Sequence, residues 1–168
     1  MLPRTLKNFN VFVDTHSWAG VAESVTIPKI TKKTEDFRGA GMIGDVALSM
    51  GYEKLEGEVV YAGFDVKQYR QLGVCGTSDL PVRFVGMYER QDNCTSQIVE
   101  IYTRGQAIEL DPGDSKNGEK TEIKMSYNYT YYRMEVDGVV EVELDFINGT
   151  ERFGETDVAK SIKELLGL

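Results

Sequence analysis

Apolar and polar positions alternate through most of the chain, in short runs divided by turn formers. That is the pattern of strands half-buried in a sheet. Residues 10–14, "NVFVD", alternate in this way, and "ESVTIPKI" predicts a second strand whose Pro28 marks a sheet edge. Residues 31–44, "TKKTEDFRGAGMIG", break the rhythm and predict a long extended loop, charged first and glycine-rich after. "DVALSMG" then sets Val46, Leu48 and Met50 on one face and Asp45, Ala47 and Ser49 on the other, with "KLEGEVVYAG" as its expected partner strand. A short helix is expected over "FDVKQYRQLG", with Val66, Tyr69 and Leu72 facing inward and Gly73 ending it. "PVRFVGMYER" places Val82, Phe84 and Tyr88 on one side, and "QIVEIYTRGQAIELD" predicts a long strand bulged near Gly105.

The turn-rich "DPGDSKNGEK" leads into a hairpin, because Asp137-Gly138 suits a two-residue type I′ turn. That register sets Val136 opposite Val139, Tyr131 opposite Leu144 and Tyr129 opposite Phe146. One face then collects Tyr127, Tyr129, Tyr131, Val140, Val142, Leu144 and Phe146; the other carries Ser126, Asn128, Thr130, Glu141, Glu143 and Asp145. "TDVAKSIKELLG" predicts a terminal amphipathic helix with Val158, Ile162, Leu165 and Leu166 on one stripe, Thr156 as cap and Gly167 as stop. The expected fold is mainly β, one domain over residues 1–168, with one short internal helix and a C-terminal helix.

At 168 residues and 41% hydrophobic, the chain can bury a real core. With 27 acids against 19 Lys and Arg, its net charge of -8 disfavours tight binding to phosphate backbones. It does not exclude a surface past which nucleic acid slides. The opening "MLPRTLKNFNVFVD" lacks the apolar core of a signal peptide, and no later run is apolar enough to span a bilayer, so folding in a cytoplasm is expected. Cys75 and Cys94 are then expected as reduced, mostly buried thiols. Two cysteines and one histidine make a poor metal set.

Gly39, Gly41 and Gly44 match G-x-G-x-x-G, but a charged loop precedes them and a strand pattern follows, so no dinucleotide site is expected. His16 stands beside Ser17 and near Asp14, yet residues one or two apart on an extended chain point to different sides; a polar turn residue is expected rather than a triad. Glu56 with Glu58, and Glu141 with Glu143, could in principle do acid–base chemistry, but solvated strands show the same spacing. In the loop, Lys32, Lys33, Glu35, Asp36 and Arg38 surround Phe37. Composition leaves open whether that aromatic anchors the loop on its own domain or docks it on a partner.

The segments "LPRTLKNFNVFVD", "VTIPKITKKTEDFRGAGM", "MGYEKLEGE", "DPGDSKNGEK", "YYRMEVDGV" and the final "LGL" resemble, in order and spacing, the major tail tube proteins of contractile-tailed bacteriophages. The tube proteins of R-type, pyocin-like bacteriocins are similar too. The likeness covers nearly the whole chain and rests on the collinear series, with no motif diagnostic alone.

The resemblance implies a sandwich- or barrel-like tail tube subunit, without cofactor or catalysis, that forms six-membered rings in a virion tail or bacteriocin particle assembled in the host cytoplasm. It implies stacking into a hollow tube and partners in a sheath protein, a baseplate hub, a tail terminator and a tape-measure protein in the lumen. DNA, or ions in a bacteriocin, would pass without specific binding. It also implies that inner strands of neighbouring copies join into one barrel, and that the loop carrying Lys32, Lys33, Glu35, Asp36, Phe37 and Arg38 packs against neighbours. Asp45, Ser49, Glu56 and Glu58 are the first expectation for a negatively charged lumen; Glu141, Glu143 and Asp145 are the second, facing lumen or sheath. The competing expectation is a monomeric β-sandwich module that binds carbohydrate on exposed tyrosines such as Tyr132. A small hydrolase lacks a credible nucleophile–base pair.

Overall fold

The computed structural model describes residues 1–168. Its strands are β1 (Arg4–Val13), β2 (His16–Ser17), β3 (Ala22–Thr26), β4 (Lys32–Phe37), β5 (Val46–Tyr52), β6 (Leu55–Ala62), β7 (Leu80–Arg90), β8 (Ser96–Asp111), β9 (Glu122–Val136), β10 (Val139–Asp145), β11 (Thr150–Phe153) and β12 (Thr156–Asp157). The helices are α1 (Val66–Arg70), continued by a 3-10 turn Gln71–Gly73, and α2 (Lys160–Leu166). No helix is long and apolar enough to cross a membrane.

One antiparallel sheet holds ten strands in the order β12-β11-β10-β9-β8-β7-β1-β2, with β6 added beside β9 and β3 beside β6. The long strands β8 and β9 pair with each other along their lengths and serve two halves of the sheet. On the far edge of β9, residues Glu122–Tyr129 take β6 and Tyr131–Val136 take β10. On the far edge of β8, β7 covers Ser96–Gly105 and no strand continues beyond. The two halves bend around Val59, Tyr61, Met125 and Tyr127 from one side and Val11, Val82, Phe84, Ile101 and Leu144 from the other.

The bend falls where the β8–β9 register shifts, between Arg104 and Gly105 and again between Ala107 and Glu109. Gly105 permits the first shift: a Cβ there would stand 1.9 Å from the Asn128 carbonyl oxygen. Arg104 faces Tyr131 while Gly105 faces Tyr129, which leaves Thr130 as the extra residue. One extra residue flips every later side chain. Tyr127 and Tyr129 are buried as expected, but Tyr132 takes the inward place assigned to Tyr131. Val136 does face Val139 across a turn with φ 49° at Asp137 and 82° at Gly138. A second bulge between Val140 and Val142 then pairs Leu144 with Tyr132 and Asp145 with Tyr131, so the expected Tyr131–Leu144 and Tyr129–Phe146 pairs do not form.

Other expectations need correction. Residues 31–44 are not a loop throughout: β4 pairs with β5 in a separate two-stranded arm, and β6 pairs with β3 and β9 instead of β5. In α1 the buried side chains are Gln68 and, just after it, Gln71, whereas Val66, Tyr69 and Leu72 are exposed. The amides are held inside by bonds: Gln68 caps the helix through the Asp65 N–H and donates to the Gly63 carbonyl, and Gln71 accepts the Tyr127 hydroxyl. Thr156 lies in β12, and the Asp157 carboxylate receives the Ala159 and Lys160 N–H groups in its place. Gly167 does end α2, at φ 69°. The stripe of Val158, Ile162, Leu165 and Leu166 meets no core and is exposed. Cys75 and Cys94 are free, but both are exposed. His16 sits in β2 instead of a turn, its ring edge-on to buried Trp18 at 4.7 Å.

Candidate functional site

Side chains alternate across β6, so Leu55, Val59 and Tyr61 enter the core and Glu56 and Glu58 point away from it. Register carries that outward face across four strands. Thr26 pairs with Glu58, Glu58 with Ser126 and Ser126 with Glu109, in one row from β3 to β8. Next to it, Glu56, Asn128 and Gln106 make a second row, and Val60, Lys124 and Asp111 a third. Four acids face one lysine. Glu109 and Asp111 were missed in the sequence because the bulge at Ala107/Glu109 puts them out of step with the strand's start.

The structure does not bring Asp45 and Ser49 to this face. Ser49 lies on β5 across from Thr34, in the separate arm, and Asp45 sits at the arm's tip in an exposed pair with Arg38 at 3.8 Å. Lys32, Lys33, Glu35, Asp36 and Phe37 make up β4 with Thr34, every one of them exposed. The arm joins the body at its base, where the Glu53 N–H donates to the Thr31 carbonyl at 2.9 Å. There Tyr52 stacks on Phe146 at 6.0 Å and donates its hydroxyl to Glu151. Desolvation and that carboxylate push the Tyr52 phenol up to about 12. Beyond its base the arm shows Phe37, Val46, Leu48, Met50 and a fully exposed Ile43 to solvent. Lone two-stranded hairpins are marginal in water, and patches this apolar mark contact surfaces.

Glu141, Glu143 and Asp145 belong to the other half of the sheet. Glu141 lies at the β10 bulge and offers its carbonyl to the Gly154 N–H. Glu143 faces Arg133 and Arg152 on the flanking strands and accepts the Tyr131 hydroxyl at 3.1 Å. Asp145 holds a turn through the Ile147 and Asn148 N–H groups. Burial opposes its ionisation, but these bonds outweigh it and hold the carboxyl below its ordinary value. The outward face here is a ladder of arginines on aromatics, Arg104 over Tyr131 at 4.3 Å and Arg133 over Tyr102 at 4.4 Å. Tyr132, the stacking platform of the carbohydrate-module expectation, is only 4% exposed and cannot serve. No group of His, Cys, Asp and Glu side chains is placed to hold a metal ion.

Two free edges complete the picture. In the acidic half, β3 pairs only with β6, and β8 beyond Gly105 pairs only with β9. Unpaired edges are templates for further strand pairing, and the apolar surface of the arm is uncovered within the subunit. The family model for the phage tail tube protein FII matches residues 3–167, and the chain belongs to that family of structural tail components. The tail tube protein of Escherichia phage P2 is 39% identical over 170 residues, covering 99% of each chain. The major tail tube protein of Serratia phage KSP20 is 34% identical, over 99% of this chain and 98% of that one. Among solved structures, the tube-terminating cap of the anti-feeding prophage shares the fold at a TM-score of 0.62 and 10% identity, covering 80% of this chain and 92% of that one. A chain from the extended sheath-tube complex of the PVC extracellular contractile injection system does so at 0.59 and 10%, covering 79% and 91%.

Proposed function

We propose that copies of this chain form rings of six that stack into the hollow inner tube of a contractile tail. The acidic outward face of β3, β6, β9 and the end of β8 lines the bore, with Glu56 and Glu58 among its acids. A sheath protein surrounds the tube, a baseplate hub starts it and a terminator closes it. A tape-measure protein fills the lumen before DNA passes through it. Asp45 and Ser49 go with the arm, which packs on neighbouring copies.

The observation that carries this reading is the acidic four-stranded half with both edges unpaired. Joining edge to edge removes both exposed edges at once. Six copies would give about 24 strands; at ~4.8 Å spacing and ~40° tilt, the barrel backbone would be about 48 Å across. Such a bore admits a nucleic-acid duplex with room for water, and its carboxylates repel the phosphates.

Negative-stain electron microscopy of the concentrated protein, alone and with baseplate-bearing particles, tests the reading. Hollow tubes with sixfold end views are expected. Monomers that join no tube even on a baseplate would refute it.

A further inference from the structure

At one end of the body, the β1–β2 turn and α1 enclose a recess of about 310 Å³. Trp18, Leu80 and Val74 give it apolar walls, and Lys67 and Arg70 stand in its lining. Neither cation is in an ion pair within the subunit. Trp18 is only 2% exposed, yet its indole N–H has no acceptor. Asp14 is the one acid present. A buried donor left unpaired is unfavourable, so an orphan indole N–H beside two free cations favours an incoming acceptor with negative charge.

Topology indicates where that acceptor comes from. β3 is antiparallel to β6, β6 to β9 and β9 to β8, so β3 and β9 run one way while β6 and β8 run the other. Rotation about a ring axis preserves direction. The free end of β8 in one copy therefore meets β3 of the next antiparallel, and the Asp111 end of β8 arrives at the Ala22 end of β3. Trp18 is held at that end, because its carbonyl receives the Val21 and Ala22 N–H groups at 3.0 and 2.9 Å. Asp111 is followed by Pro112, Gly113 and Asp114, and three residues reach about 10 Å. Asp114 has no ion pair of its own.

We infer that the recess receives the acidic turn Asp111–Asp114 of the adjacent copy in the ring, with a carboxylate set against Trp18, Lys67 and Arg70. This rests on the ring reading above and gives the seam between copies an electrostatic lock beyond strand pairing.

The test uses the full chain with Cys75→Ser and Cys94→Ser, carrying Lys67→Cys in one preparation and Asp114→Cys in another. Mixed and assembled, these should give a disulfide-linked pair in tubes and none in free subunits. Trp18, the sole tryptophan, should shift its emission on assembly. Lys67→Glu with Arg70→Glu should lower tube yield at least tenfold, and adding Asp111→Lys with Asp114→Lys should restore it. Normal tubes with no cross-link and full yield from the Lys67→Glu/Arg70→Glu variant would overturn the lock while leaving the ring reading intact. Absence of tubes from the unmodified chain on a baseplate would overturn both.

Discussion

Gly105→Ala is the sharpest probe of how the sheet is built. A Cβ at this position would lie 1.9 Å from the Asn128 oxygen and 2.7 Å from the Tyr129 Cα, both backbone atoms of the paired strand. To reach an ordinary contact of about 3.4 Å the strands must part by roughly 1.5 Å, which breaks one or two ladder hydrogen bonds worth about 1 kcal/mol each. Overpacking adds about 1–3 kcal/mol. A loss of about 3 kcal/mol is expected, and for a chain of this size that is a Tm lower by about 6–12 °C. Guanidinium unfolding of the free subunit, followed by Trp18 fluorescence, measures it. Gly73→Ala, whose Cβ would meet nothing within 4 Å, is the control and should stay within about 0.5 kcal/mol. If Gly105→Ala were as stable as the control, the close approach at the bend would be wrong.

The remaining expectations concern the lumen, the surface and the buried phenols. Glu56→Lys with Glu58→Lys should leave tubes intact and slow DNA ejection; unchanged ejection kinetics would remove these acids from the bore. Leu165→Asp with Leu166→Asp should cost the free subunit under about 0.5 kcal/mol, because both side chains are already exposed, while lowering assembly yield measured by sedimentation. Wild-type yield would show that α2 is not a contact. Burial raises the phenols of Tyr61, Tyr127 and Tyr129 above their ordinary value, so the folded state holds the neutral form. Their contribution to stability is full below about pH 10 and is lost as pH rises past it. Absorbance at tyrosinate wavelengths should therefore show these three ionising together with unfolding; a smooth titration centred near pH 10 without loss of far-UV signal would contradict their burial.

What the sequence made legible depended on how local the cause was. The Asp137-Gly138 turn was readable because its two residues alone supply the positive φ values. Gly105 marked a bulge correctly for a similar reason. The displaced residue, Thr130, carries no mark, and neither does the bulge at Val140/Val142, because both are set by strand partners distant in sequence. Tyr131 and Tyr132 look alike in any pattern, and a bulge one residue away decides which is buried. Gln68 and Gln71 inverted the helix prediction, since an amide with partners waiting in the core can outrank an apolar neighbour that finds no space there. The arm misled for the same reason: its apolar positions follow strand periodicity, but the surface that would bury them is not in the subunit. Glu56 and Glu58 point away from the core on β6, while Asp45 and Ser49, grouped with them from the sequence, lie in the arm because β5 pairs with β4.

The two long strands have a mechanical consequence. β8 and β9 run 16 and 15 residues through both halves of the body, so no hinge of irregular chain separates the acidic half from the arginine-laddered half. A load along β8 and β9 would slide these strands past each other, straining many hydrogen bonds in parallel, whereas a load that peeled them would meet one bond at a time. In the proposed tube, with strands tilted about 40° to the axis, the larger share of an end-on load would run along these strands, the direction in which their ladder resists best.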